Sequence, residues 1–232
     1  MRRIEKGNEP NHFRIWKQRF WEENGRNPQY SDLKGTEEYV KLKLELLKEQ
    51  GNICCYCEKR IGLFPGDSDI EHFMPRNPDV HRLDVEECRI CREAQLDYDN
   101  MFASCVGDEA VSLDHCNHKK DNWYDFEKCV SPKDEEIKGL FGFRLNGKMI
   151  SINNNLKAEA MKKHLNLNTY VLKEQRKTAY DTVMEIEFPE ETLREDEEYI
   201  EETIHYYEER DGEGDYEPFC SMITYCLRNY PI

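Results

Sequence analysis

Two cysteines three positions apart, Cys54 and Cys57 in ICCYCEKRIG, constrain this chain more than any other feature. A pair at that spacing turns both thiolates toward one tetrahedral ion, and a glycine soon after, Gly62, permits the tight turn of a knuckle. One such pair is half a site. The other half comes from Cys88 and Cys91 in EECRIC or from Cys105 and Cys116 in SCVGDEAVSLDHCNHKK. The second choice is favoured, because Cys105 closes a predicted strand and Cys116 opens a predicted helix, so one ion ties strand, loop and helix together. Four thiolates leave no position for water, which makes the expected zinc structural. Cys88 and Cys91, with His81, read either as a second site or as buried thiols. Cys55, Cys129, Cys220 and Cys226 read as small buried hydrophobes.

The redox setting supports metal over disulfides. The N-terminus MRRIEKGNEP lacks the apolar segment of a secretion signal, and no apolar run reaches membrane-spanning length. A cytoplasmic location without membrane contact is expected, where cysteine pairs more often bind zinc.

The formal charge of −15 argues against contact with nucleic acid until its distribution is read. Residues 185–217 carry 16 acids against 2 arginines, a net of −14, which leaves only −1 for the rest. The body can therefore carry a local basic patch, while the acidic segment faces solvent or a basic partner.

Periodicity places helices around the cysteine-rich segment. Phe13, Trp16 and Phe20 form one stripe that exits at Gly25. A second helix starts at Thr36 as N-cap and ends at Gly51, with Tyr39, Leu42, Leu46 and Glu49 on one face. LFGFRLNGKMISI reads as a β-hairpin with Asn146-Gly147 as a type I′ turn. Helical patterns follow from Leu156 to His164 and from Thr169 to Glu187, where Pro189 breaks the run. An acidic helix is expected from Leu193 to Arg210 with Leu193, Ile200, Ile204 and Tyr207 inward, and PFCSMITYCLRNY forms a last apolar helix. Three segments result: 1–51, helical; 52–130, holding the cysteine frame; and 131–232, a hairpin followed by helices with the acidic stretch 185–217.

Within the frame, Cys54/Cys57, Glu71-His72, Asn100 and Cys116-Asn117-x-x-Lys120 occur in a fixed order. That order resembles the zinc-bound HNH, or ββα-metal, nucleases over about residues 53–122. The fold class expected is thus α+β: a predominantly helical protein with an embedded zinc-stabilised ββα-metal (HNH) motif. Phosphodiester hydrolysis needs a base for water and a cation to stabilise charge on the phosphate. His72 is the natural base. Glu71 and the amide oxygen of Asn117 suit magnesium or manganese, which favour oxygen ligands. On a regular strand Glu71 points away from His72, so the strand must end or bend there. The resemblance makes Asn100 the middle residue, bonded to backbone near His72, and puts Asn117 at the third position. Lys120 and Arg76 are candidates for phosphate oxygens. His115 and His118 remain further candidate ligands. Residues 77–95 read as a charged insertion.

CCYCEKRI, SDIEHFMPR, LDYDNMFASC, HCNHKKDN, SPKDEEIKGLFGFRLNGKM and HLNLNTYVLKEQR extend the resemblance to the HNH subunits of Septu-type anti-phage systems, the PtuB family, including retron-associated ones. This implies a defence endonuclease, with DNA favoured as substrate, assembled with an ABC-type ATPase (PtuA-like) and, in retron forms, with a reverse transcriptase and its RNA–DNA product. Two alternatives stay open: the same site acting on RNA such as transfer RNA, and an inactive zinc-bound adaptor for the ATPase.

Overall fold

The computed structural model describes residues 1–106 and 114–231. Helix α1 (Asn11–Asn24) buries Phe13 and stops at Gly25, whose left-handed φ of 66° lets its N–H bond Trp21 O. A single helical turn, α2 (Tyr30–Leu33), leads into α3 (Glu37–Glu49), where the Thr36 side chain accepts from Tyr39 N. Helix α3 buries Leu42 and Leu46 of the expected stripe together with Lys43 and Leu47, while Tyr39 and Glu49 are half-buried. Lys43 tolerates burial because its Nζ donates to Ser68 O at 2.5 Å.

Next come β1 (Ser68–His72), α4 (Val85–Glu93), β2 (Met101–Cys105) and α5 (Cys116–Lys120). The two strands pair antiparallel, with His72 opposite Met101 and Ser68 opposite Cys105. The charged segment before β2 is ordered: Asp84 and Glu87 form a capping box that starts α4. A second small antiparallel sheet, β3 (Phe141–Phe143) and β4 (Met149–Ser151), precedes α6 (Leu156–His164) and α7 (Tyr170–Glu187). The acidic stretch divides into α8 (Glu191–Arg194) and α9 (Glu197–Glu208), because the Asp196 side chain accepts from Tyr199 N and begins a new helix there. Helix α10 (Cys220–Asn229) closes the chain against α7, α9 and β3.

The chain is thus mixed α/β, about half helical with small antiparallel sheets. The three segments marked in the sequence share one core: Phe13 and Leu46, Tyr56 and Phe102, and Leu172 and Met222 belong to a single buried cluster. No helix among the described residues is long and apolar enough to cross a membrane.

The hairpin turn differs from the expected type I′. Gly147 alone takes positive φ, at 76°, while Gly147 N bonds Arg144 O and Arg144 N bonds Lys148 O. Those bonds describe a type I turn closed by a left-handed glycine, which spares Asn146 a strained conformation. Gly147 is also wedged: a Cβ there would lie 1.9 Å from Lys173 O on α7. Gly139, at φ 78°, has open space around its Cβ direction. Gly147→Ala should therefore destabilise by about 2 kcal/mol or more, and Gly139→Ala by about 1 kcal/mol. Denaturant titration of both variants checks this, and equal effects would refute the close approach.

Candidate functional site

The four cysteines favoured by spacing come together. The Sγ atoms of Cys54, Cys57, Cys105 and Cys116 all lie within 4.8 Å of one another and all four residues are buried. The first pair sits in a knuckle whose bonds are Glu58 N to Cys54 O and Cys54 N to Lys59 O. Its left-handed residue is Glu58, at φ 64°, and not the expected Gly62. Cys105 ends β2, and Cys116 starts α5 with φ 55° and its N–H bonded to Leu165 O. Knuckle, strand and helix therefore meet at one point.

The donor set suits a tetrahedral metal. Zinc with four thiolates at about 2.3 Å sets neighbouring sulfurs about 3.8 Å apart, and Cys57 and Cys105 stand at 3.7 Å. Hydrogen bonds to the sulfurs are present as well. Cys105 N donates to Cys54 Sγ at 3.3 Å, and His115 Nδ1 lies 3.2 Å from Cys116 Sγ and 3.7 Å from Cys105 Sγ. His115 therefore supports the sulfurs. Without a cation the thiols share protons unevenly. Burial opposes ionisation, yet bonds from Cys105 and Cys116 hold Cys54 well below the ordinary thiol value and Cys57 at about 7. Cys116 is pushed well up by burial and by the bonds it donates. An ion replaces those shared protons.

Arg176 on α7 agrees with an anionic centre. It is almost wholly buried, its Nη1 bonds Leu167 O at 2.7 Å, and its Nη2 has no hydrogen-bond partner among the described residues. Burial lowers its pKa, opposed by the charges of Cys57, Glu58 and Cys116.

The alternative pair goes elsewhere. Cys88 and Cys91 are buried on α4, with Cys88 Sγ directed at Leu83 O and Cys91 raised to about 11 by burial, while His81 is exposed. They are not part of a metal-type cluster among the described residues.

Beside the cysteines, an open cleft of about 410 Å³ is lined by Glu71, His72, Arg76 and Asn117, with Tyr30, Asp69, Asp114, His118 and Asp121. Strand β1 runs through His72, with Glu71 opposite Phe102 and His72 opposite Met101, so the expected end or bend between the two residues is absent, although both line the cleft. His72 Nε2 donates to Gln95 O at 3.0 Å, which fixes the tautomer and leaves Nδ1 as the acceptor nitrogen. The ring stands edge-on to Tyr30, centroids 4.4 Å apart. Burial, with Arg76 and Lys120 adding to it against the bond to Gln95, pushes His72 down to about 3, so the imidazole is neutral at physiological pH. Asn100 clamps the turn that follows: its Oδ1 accepts from Met74 N at 2.7 Å and its Nδ2 donates to Met74 O and Ala94 O.

Lys120 differs from its expected role. It is turned inward, with Nζ 2.8 Å from Glu71 Oε1 and donating to His72 O at 2.9 Å. The residue is 3 % exposed, because α5 packs directly on the strand end and the buried carboxylate needs a cation. Tyr56 OH donates to the same Oε1 at 2.8 Å. Arg76 does reach the cleft, its guanidinium 4.3 Å over the Tyr30 ring. Sequence reasoning missed Tyr56, Tyr30 and Gln95. Tyr56 lies between the paired cysteines, whereas Gln95 acts through a carbonyl that any residue supplies.

Comparison with protein-family models and with curated proteins gives no match for this chain.

Two outcomes test this geometry. The purified protein should carry one zinc per chain by elemental analysis, retained in Cys88→Ala/Cys91→Ala and lost in Cys57→Ser or Cys116→Ser. Zinc retained by both serine variants would refute the tetrathiolate site. Lys120→Met should cost about 3–5 kcal/mol, because Glu71 is left buried and unpaired. Adding Glu71→Gln should recover part of it; strict additivity in denaturant titrations would refute the coupling.

Proposed function

We propose that this chain is a metal-dependent endonuclease of the HNH kind. The observation that carries the reading is the convergence of Glu71, His72 and Asn117 on one cleft beside a buried cluster of four cysteines. Carboxylates from Asp69, Glu71, Asp114 and Asp121 outnumber the cations Lys34 and Arg76 in that cleft. It would repel a bare phosphate and favours a divalent cation.

Glu71 and the amide oxygen of Asn117 would hold magnesium or manganese, which supplies charge neutralisation at the phosphate. Since Tyr56 and Lys120 both bond Oε1 of Glu71, Oε2 is the oxygen assigned to ligand binding. His72 Nδ1 accepts the proton from a water as its oxygen adds to phosphorus. One P–O ester bond breaks, and the departing oxygen takes a proton from solvent. Gln95 O keeps the imidazole in the required tautomer, and Asn100 keeps the chain after it from swinging. Arg76 is the side chain placed to meet a phosphate oxygen.

The resemblance to PtuB subunits extends the proposal to a defence role beside an ABC-type ATPase, with DNA as the favoured substrate. The exposed acids of α9 are the surface assigned to such a partner.

The protein, alone and with its co-purifying partners, should cut plasmid DNA or structured RNA in magnesium or manganese and fail in excess chelator. His72→Ala should lower the rate at least about 100-fold with zinc content and melting temperature retained. Undiminished cutting by that variant overturns the assignment.

A further inference from the structure

A basic surface lies where the β3–β4 hairpin meets the end of α6. Arg144 and Lys148 from the β3–β4 hairpin, with Lys162 and Lys163 from the end of α6, line a groove of about 600 Å³ that contains one carboxylate, Glu159. Glu159 is taken by Lys162 at 2.7 Å. Arg144, Lys148 and Lys163 are exposed and make no ion pair among the described residues. Three uncompensated cations on a chain of net charge −15 are a local reversal of the surrounding field.

The floor of the groove is built. Asn168 brackets Met149 of β4, accepting from its N–H at 2.8 Å and donating to its carbonyl at 2.9 Å. Asn166 donates to Asp114 O at 2.9 Å, so a residue of the groove bonds a residue of the cleft. Cys116 N bonds Leu165 O alongside, tying the end of α6 to the start of α5. Groove and cleft are therefore neighbours across one hydrogen bond, held in fixed relation by the backbone that carries Asn117.

We propose that this groove is a phosphate-tracking site, in which Arg144, Lys148 and Lys163 hold the nucleic-acid backbone that continues outward from the cleft. The choice of a nucleic acid rests on the nuclease reading above; the position of the groove beside the cleft and its charge carry the rest. The cleft is acidic and offers a substrate little attraction of its own, so affinity must come from cations next to it. Contacts from exposed lysine and arginine to phosphate position a strand without reading its sequence. A competing occupant with matching charge is the acidic 185–217 stretch of a second copy.

The test is binding of a fluorescent 30-base-pair DNA duplex to the full chain in chelator that spares the zinc, followed by anisotropy across salt concentrations. The Arg144→Gln/Lys148→Gln/Lys163→Gln variant should bind at least tenfold more weakly at fixed salt. Its slope of log K against log salt should be shallower by about 2–3, at roughly 0.9 per lost contact. Zinc content and melting temperature serve as the folding control, and the charge-reversed triple variant should weaken binding further. Cutting by His72→Ala would defeat the nuclease reading and leave the binding result to be read separately. Binding and slope unchanged in the triple variant overturn the groove, as does absence of binding by the parent at low salt. A variant that loses only a dimer in sedimentation overturns it too, in favour of the second copy.

Discussion

Four sulfurs within 4.8 Å of one another, sealed from water, are an arrangement that bare thiolates cannot hold. Their mutual repulsion in a medium of low dielectric is far larger than any local packing gain. Either protons are shared among them or a cation sits between them, and the buried guanidinium of Arg176 fits the anionic form that a metal creates. The rest of the structure depends on this point. It joins the knuckle to the end of β2, Cys57 to Cys105 across 47 intervening residues, and joins both to the first residue of α5. Closing such loops costs chain entropy, which metal binding at the four sulfurs would offset.

Once α5 is fixed at its first residue, its remaining length sets the cleft. Lys120, one turn after Cys116, meets Glu71 Oε1 and the His72 carbonyl together. That ion pair is buried at both ends, so loss of either partner leaves an uncompensated buried charge. The carboxylate cannot rotate away without abandoning Lys120 and Tyr56. The strand end cannot shift without losing the His72 carbonyl. Cysteine cluster, ion pair and cleft are thus consecutive along one five-residue helix, Cys116–Lys120.

What the sequence made legible follows from the range of the interactions involved. Cysteine spacing, the Thr36 cap and the Gly25 stop are local, and each stands where local chemistry put it. The choice of Cys105 and Cys116 over Cys88 and Cys91 was legible because elements predicted around them could bring them to one point. The direction of Lys120 was not legible. Spacing put it on the same face as the cleft residues, but only the packed distance to Glu71 decides that it points inward. The same holds for Asp196, which divides the acidic helix because its side chain can cap a new one. A charged run carries no periodicity strong enough to announce such a break. Gln95 was invisible for a different reason, since a backbone carbonyl has no residue type.

The charge distribution poses a problem that the fold answers only in part. A cleft with four carboxylates and two cations, on a chain of net −15, is a poor place for a polyanion unless something nearby reverses the field. A divalent cation does so over a few ångströms, and beyond roughly 8–10 Å its effect is screened at physiological salt. On the proposed nuclease reading, a substrate longer than one nucleotide would therefore need further cations beyond the reach of such an ion. The hairpin and α6 gather Arg144, Lys148 and Lys163 in the groove that Asn166 links to the cleft, while the acids of α9 lie on a helix that packs with α10. On the proposed reading, separating the two signs onto different elements would let one chain offer a basic track to a phosphate backbone and an acidic face to a protein.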